Sequence, residues 1–301
     1  MLTLRQLRYF KALAETGHFG RAADACSVTQ PALSMQIKEL EAELGVTLFE
    51  RRRSGVRLTA DGREALGRAG QILREAQELQ GFATSREGPL GRGLSLGVIP
   101  TIAPYILPAA LPELQKRAPD LDLTLHEAQT AQLLAELADG DIDVALLALP
   151  AGDQHFDSLP LFDDRFLLAM PVNAPPPESI NVADLSAERL ILLEEGHCLR
   201  DQALSVCGAI GEGAMAKFGA TSLATVLQMV ANGYGSTLLP EMAVAVEVRS
   251  DTPITLRHLK PAPSRSIGLL WRKSTPRKER FNVLGDILCD VWQRGKSDRS
   301  A

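Results

Sequence analysis

The sequence is poor in cysteine. Cys26, Cys198, Cys207 and Cys289 are the only four thiols among 301 residues, too few for a disulfide framework in a chain of this size. No CxxC pair occurs, which argues against a zinc ribbon or a thioredoxin-type motif. No apolar run approaches the roughly 18–20 residues needed to span a bilayer. Met1-Leu2-Thr3-Leu4-Arg5 leads into charge rather than into an apolar signal core, which predicts a cytoplasmic protein with no membrane partner. Low-complexity and collagen-like patterns are also missing. With 45% apolar and 23% charged residues, the composition is that of a soluble globular protein of two or three domains.

The charge is unevenly spread. Residues 1–63 hold ten Lys/Arg and seven Asp/Glu, against 22 and 30 in the remainder. A basic N-terminal segment on an acidic chain suggests that one module meets a polyanion and the other does not.

That segment reads as three helices with tight connections. Leu4, Leu7, Phe10 and Ala14 recur at helical spacing up to a break at Gly17-His18. Phe19, Ala22, Ala23 and Cys26 form the apolar stripe of a short second helix. Thr29 is a suitable N-cap and Pro31 a suitable first-turn residue for a third helix. Leu33, Ile37, Leu40 and Leu44 line one face of it, and Gly45 ends it. This is the pattern of a helix-turn-helix. The opposite face presents Pro31, Ser34, Met35 and Lys38, with Gln30 and Gln36 on its flanks, where side chains would reach base edges in a major groove. A strand over Val46–Glu50, a tip containing Arg51, Arg52 and Arg53, and a return over Val56–Leu58 predict a basic β-hairpin wing facing a DNA backbone. The bland alternative is a helical mini-domain with a solvated basic loop.

Residues 59–86 carry one long helical pattern. Leu66, Ala69, Leu73 and Ala76, with Ile72 and Leu79 beside them, make a stripe that a lone helix cannot bury. Pairing with a second copy is the natural solution; packing on its own chain is the alternative. Gly88–Gly93 reads as a linker and 171–177 as a Pro-rich surface loop. Beyond the linker the pattern alternates: strands at Leu94–Val98, Leu121–His126, Asp143–Leu149, Arg165–Pro171, Leu190–Leu193, Ser236–Leu239 and Ile267–Arg272. Helices fall at Ala103–Lys116, Ala131–Ala138, Leu223–Asn232 and Arg277–Arg294. Such alternation predicts a mainly parallel sheet in two α/β lobes with a ligand cleft between them.

Several segments resemble the LysR-type transcriptional regulators: Leu7-Arg-Tyr-Phe10, Phe19-Gly-Arg-Ala-Ala23, Thr29-Gln-Pro-Ala-Leu-Ser34, Ile37-Lys-Glu-Leu-Glu41, Leu44-Gly45 and Leu48-Phe-Glu-Arg51. The resemblance covers essentially the whole chain. It implies an α/β multidomain protein: a winged helix-turn-helix at 1–58, a linker and dimerisation helix at 59–87, and a two-lobed α/β regulatory domain like the periplasmic binding proteins. Lobe I takes 91–162 and 268–301, and lobe II takes 163–267 with the redox centre. Leu193-Glu-Glu-Gly-His-Cys-Leu-Arg-Asp-Gln-Ala203, followed by Cys207, resembles the redox centre of the family's peroxide-sensing members. Thr221-Ser-Leu223, Met229-Val230, Thr237-Leu-Leu-Pro240, Ile99-Pro-Thr-Ile-Ala-Pro-Tyr105 and His126-Glu-Ala-Gln-Thr130 match them too. The likeness thins in the glycine- and alanine-rich stretch between Cys207 and Thr221.

The resemblance implies a peroxidatic Cys198, a resolving Cys207 and a peroxide pocket of Thr101, Thr130, His197 and Arg265. It also implies promoter DNA, hydrogen peroxide and RNA polymerase as partners, a homodimer or homotetramer, and no cofactor and no metal. The thiolate is the reactive form of cysteine. His197 and Arg200 beside Cys198, with a helix beginning there, would favour it. If Leu199–Val206 is helical, nine residues of rise separate the two cysteines by about 13.5 Å, beyond the roughly 7 Å between Cα atoms that a disulfide allows. Oxidation would then remodel Leu199–Ala209. Cys26 and Cys289 read as inert core residues, and His126 is given no role. Three alternatives stand beside this reading. They are a LysR-type regulator that binds a small metabolite between its lobes, a thiol peroxidase, and zinc held by His197, Cys198 and Cys207, a poor tetrahedral set.

Overall fold

The computed structural model describes residues 1–52, 55–84, 90–91, 93–173, 179–182, 185, 190–207 and 215–300. The chain divides into two compact units, Met1–Arg86 and Glu87–Ala301.

The first unit begins with helices α1 (Leu4–Thr16), α2 (Phe19–Ala25) and α3 (Gln30–Leu44). A capping box starts α1: the Thr3 hydroxyl accepts from the Gln6 N–H at 3.2 Å and the Gln6 side chain accepts from the Thr3 N–H at 2.9 Å. Gly17, in the left-handed region at φ 62°, ends it. Thr29 caps α3 in extended backbone but makes no side-chain cap bond. The core gathers Leu7, Phe10, Leu13, Ala22, Ala23, Leu33, Ile37 and Leu40. Leu13 joins the core and Ala14, expected on the same stripe, is half-buried against it, while the terminal residues Leu4 and Leu44 stay exposed.

The wing is the antiparallel hairpin β1 (Phe49–Arg52) and β2 (Gly55–Leu58). Its first strand starts later than expected. Glu41 of α3 accepts from the N–H groups of Leu48 and Phe49 at 2.8 and 3.2 Å, so a carboxylate rather than a partner strand holds the approach. Arg51 and Arg52 lie within β1, not in the tip, and Arg53 lies outside the described residues. Helix α4 (Ala60–Thr84) follows. Ala69 is buried in this unit's own core, and Leu66 and Leu73 pack against it. Half of the expected dimer stripe therefore serves the chain itself, while Ile72 and Leu79 remain 41% and 73% exposed.

In the second unit, parallel strands β3 (Gly93–Val98), β4 (Asp122–Glu127) and β5 (Val144–Leu149) alternate with α5 (Ala103–Arg117) and α6 (Thr130–Asp139). Gly93 thus opens a strand instead of closing the linker. Next come β6 (Phe156–Pro171), β7 (Ser179–Asn181), β8 (Leu190–Leu193), α7 (Cys198–Cys207), β9 (Met215–Ala220) and α8 (Leu223–Ala231). A single 3-10 turn (Glu241–Ala243) lies between β10 (Thr237–Pro240) and α9 (Val244–Glu247). Strands β11 (Ile254–Lys260) and β12 (Ser264–Arg272) and helix α10 (Lys278–Ser300) complete the unit.

The sheet is mixed, not mainly parallel. β6 and β12 run antiparallel, and β12 also opposes β5 while β6 opposes β10 and β11. The 16-residue β6 pairs with β12 along its first part and with β10 and β11 along its second. One strand thereby crosses from one core to the next, which a βαβ unit does not do. The first core contains Leu96, Ile102, Ile106, Leu133, Leu146, Leu284 and Leu288. The second contains Phe166, Leu168, Ile191, Val226 and Leu239. Tyr105 packs on both, and its hydroxyl donates to Glu247 at 2.9 Å.

Candidate redox and DNA-binding sites

Strand β8 delivers the chain to a tight turn. Gly196 sits at φ 92°, with space for a Cβ closed by the Gln129 side chain at 2.5 Å, so glycine is required there. His197 is buried, and Cys198 opens α7. Leu199 and Ala203 anchor this helix in the second core, while Cys198 packs against the first. The sulfur therefore sits where the two lobes meet. Cys207 closes the same helix, nine residues on.

Burial pushes the Cys198 thiol above its ordinary value; Thr130 and Arg265 pull it back. The expectation that His197 and Arg200 favour the thiolate is corrected accordingly. The Arg200 guanidinium is spent on the Leu193 carbonyl at 3.0 Å; the groups that favour the thiolate are Thr130 of α6, Arg265 of β12 and, as expected of a helix start, the Leu199 N–H in the first turn of α7, while Asp201 opposes them. The buried Thr130 hydroxyl faces the sulfur and lowers its pKa. The Gln202 carbonyl oxygen is also buried, and it is unpartnered among the described residues. Both residues line a cleft of about 450 Å³ with Cys198, Asp201 and the apolar side chains of Leu134 and Leu149. A thiol, a threonine hydroxyl and an unpartnered glutamine oxygen along one cleft describe a place for a small hydrogen-bonding molecule.

Behind the sulfur lies a buried polar knot. Arg265 donates from Nε to Asp164 at 3.0 Å, from one terminal nitrogen to the Thr101 hydroxyl at 3.0 Å, and from the other to the Thr101 carbonyl at 2.9 Å and the Met242 sulfur at 3.2 Å. Asp164 also accepts from the Met242 N–H at 3.0 Å. Burial pushes its carboxyl up and Arg265 opposes the shift.

The structure thus brings Cys198 and Thr130 to one cleft and joins Thr101 to Arg265 next to it. Thr101, His197 and Arg265 do not line that cleft. Sequence reading missed Gln202, which its position one helical turn after Cys198 signalled, and Asp164, which nothing local to residue 164 announced. Cys26 and Cys289 are half-buried thiols whose pKa values burial raises; Cys289 donates to the Leu161 carbonyl at 3.5 Å. His126 meets Glu136 at 2.7 Å on the exposed edge strand β4.

In the first unit, Gln30, Pro31, Met35 and Lys38 are exposed along α3, and Ser34 is half-exposed beside them. The Gln36 amide donates to Glu39 at 2.7 Å. Arg51 and Arg52 pair with Val56 and Gly55 in the wing.

The family model described as bacterial regulatory helix-turn-helix protein, lysR family, matches residues 4–63, and the LysR substrate binding domain matches 87–293. The chain is 44% identical over 289 residues to the DNA-binding transcriptional dual regulator OxyR of Escherichia coli K12, with 95% of each chain covered. Among solved structures, a full-length OxyR variant from Pseudomonas aeruginosa matches with a TM-score of 0.80 and 38% identity, covering 97% of this chain and 96% of that one. A hydrogen-peroxide-bound OxyR variant from Corynebacterium glutamicum matches with a TM-score of 0.68 and 38% identity, covering 97% and 93%.

Proposed function

The chain belongs to the LysR family of bacterial transcription regulators, and from that premise we propose that it is a hydrogen peroxide sensor that binds promoter DNA and switches through Cys198. The observation that carries this is the placement of one thiol at the lobe junction, facing Thr130 and within the field of Arg265, with a second cysteine at the far end of the same helix.

The chemistry is stoichiometric. The Cys198 thiolate attacks one oxygen of hydrogen peroxide, the O–O bond breaks, and sulfenic acid and hydroxide form. The Thr130 hydroxyl and the Gln202 carbonyl bind the peroxide, while Arg265, held by Asp164 and Thr101, favours anionic sulfur and the departing hydroxide. Thr101 acts from behind the sulfur by holding Arg265, and the buried His197 leads into the start of α7 without lining the cleft. The Cys207 thiol then displaces water from the sulfenic acid and a disulfide results. Two cysteines at opposite ends of a helix are about 13.5 Å apart, so α7 unwinds before the sulfurs meet. Unwinding withdraws Leu199 and Ala203 from the second core and changes the face that lobe II presents.

The division of labour follows the motifs. Residues 1–58 bind duplex DNA, 59–87 dimerise, and the lobes 91–162 with 268–301 and 163–267 sense. Gln30, Pro31, Ser34, Met35, Gln36 and Lys38 face the major groove, and Arg51, Arg52 and Arg53 the backbone. The working form is a homodimer or homotetramer in the cytoplasm that engages RNA polymerase. It needs no cofactor and turns over no substrate.

A second reading has one observation in its favour: a cleft of about 450 Å³ exceeds what hydrogen peroxide fills, as a metabolite-responsive regulator requires. Free-thiol counting separates the two. One equivalent of peroxide removes two thiols from the wild type and none from Cys198→Ser, and peptide mapping finds a Cys198–Cys207 bridge. Slow loss without that bridge would leave the metabolite reading.

A further inference from the structure

The α1–α2 turn, the start of α3 and the wing enclose a groove of about 410 Å³, lined by His18, Phe19, Gln30, Ser34, Gly55 and Val56 among others. The groove is held open by backbone. Gly17 ends α1 in the left-handed region, and its carbonyl accepts from the Val56 N–H at 3.0 Å. Gly55, at φ 130°, comes so close that a Cβ there would stand 2.7 Å from the same carbonyl oxygen. The wing is thereby docked on the turn preceding α2, and its distance from the first residue of α3 is fixed without any long side chain.

His18 stands at the centre of this arrangement. Its Nδ1 accepts from the Gly20 N–H at 3.1 Å and so caps α2. An imidazole that accepts at Nδ1 and is neutral carries its proton on Nε2. The residue is exposed, and among the described residues Nε2 makes no hydrogen bond. The ring therefore offers a single N–H donor, of fixed tautomer and fixed direction, on the face that also presents Gln30 and Ser34.

We propose that His18 is a DNA-phosphate contact: its neutral imidazole, oriented by the cap on α2, donates Nε2–H to one backbone phosphate seated in the groove between the α1–α2 turn, α3 and the wing. This rests on the reading that the first unit binds DNA. Nothing in the sequence pattern singled out His18, which lies before the second helix and looked like part of the break that ended the first. A phosphate contact positions the protein on the duplex and carries no base information. A neutral donor displaces no condensed counterion.

Two substitutions separate the cap from the contact. Asn and Ser both cap helices well, so His18→Asn and His18→Ser keep the bond to Gly20 while their shorter side chains leave the phosphate unmet. The full-length reduced protein is titrated with two duplexes: one carrying the target that the wild type selects from random sequence, and one of scrambled sequence. The expected result is unchanged thermal unfolding and about fivefold weaker binding to both duplexes, the size of one neutral hydrogen bond. The slope of affinity against salt stays that of the wild type. Wild-type affinity in both variants would overturn the proposal. A loss confined to the selected target would overturn it in favour of base readout. A slope lower by about one phosphate would show a charged imidazolium and overturn the neutral tautomer. If the wild type binds neither duplex, the DNA-binding reading fails and this inference with it.

Discussion

Arg265 Nε lies 3.0 Å from Asp164 Oδ2, and the two side chains are 1% and 0% exposed. A buried pair is sustained only if the remaining donors and acceptors are filled. Here they are filled by Thr101 and Met242. Arg265 also supplies the positive field felt by Cys198. Removing one partner strands the other. Arg265→Ala and Asp164→Ala should each destabilise the protein by about 3–5 kcal/mol, and the double variant should recover more than about 1 kcal/mol of the summed loss. Denaturant unfolding of the four proteins reads the coupling, and additive losses would mean the two charges are energetically independent.

The raised pKa of Cys198 gives the reaction a pH profile. Below that pKa each unit of pH raises the thiolate fraction roughly tenfold. The rate of sulfenic acid formation should therefore climb through neutral pH and level off above the range of an ordinary thiol. Thr130→Ala removes a group that lowers the pKa and a contact to peroxide, so its rate should fall at every pH, and fall further at neutral pH than on the alkaline plateau. The sign for stability is the opposite. A thiol whose pKa is higher folded than unfolded stabilises the fold below about 8.5, and the gain is lost as pH rises toward the folded value. Cys198→Ser should abolish that alkaline loss, which stopped-flow peroxide kinetics and denaturation at several pH values together would establish.

These features were unequally legible. The helices of the first unit could be placed from apolar spacing and caps because each is amphipathic and local: Leu7, Phe10, Leu33, Ile37 and Leu40 are all buried as their spacing demands. Strands β7, β9 and β11 and the first half of β6 were not seen. Phe156–Arg165 is interrupted by Asp157, Pro160, Asp163 and Asp164, and pairing with β12 across the molecule, not its own pattern, makes it a strand. The redox segment was legible through the resemblance of Leu193–Ala203 and Cys207 to the family's peroxide-sensing members, since two cysteines nine residues apart are by themselves as well explained by packing. The charge around the sulfur was misjudged because His197 and Arg200 are neighbours in sequence, whereas Thr130 and Arg265 reach Cys198 through tertiary structure.

Helix α4 bears two kinds of apolar residue. Ala69 is buried against its own unit, while Ile72 and Leu79, seven residues apart, are exposed. In the proposed dimer this uncovered heptad pair would form the seam between two copies of α4. Ile72→Glu with Leu79→Glu should dissociate the dimer and weaken binding to a two-half-site duplex, with unfolding of the helix-turn-helix little changed. Ala69→Glu should instead unfold that unit. Sedimentation and thermal melts distinguish these outcomes. A double variant that remains dimeric would place the main contact in the regulatory unit.

The last prediction separates the two chemical steps. Sulfenic acid formation needs Cys198 in place at the start of α7, whereas disulfide formation needs α7 undone. Ser205 is exposed near the end of that helix, and replacing Ser by Ala at such a site stabilises a helix by about 0.5 kcal/mol. Ser205→Ala should leave the first step unchanged and slow the second by about twofold, the rate equivalent of that energy. Leu199 is anchored in the second core, and Leu199→Ala loosens the helix by about 2–5 kcal/mol. It should speed bridging and make the disulfide harder to reduce, since the reduced, helical state is the one it weakens. Quenched-flow trapping of sulfenic acid and disulfide measures both steps on the same sample. If the two variants move bridging in the same direction, or leave it untouched, unwinding of α7 is not what limits it. Cys207 would then have to reach Cys198 by a motion that keeps the helix intact.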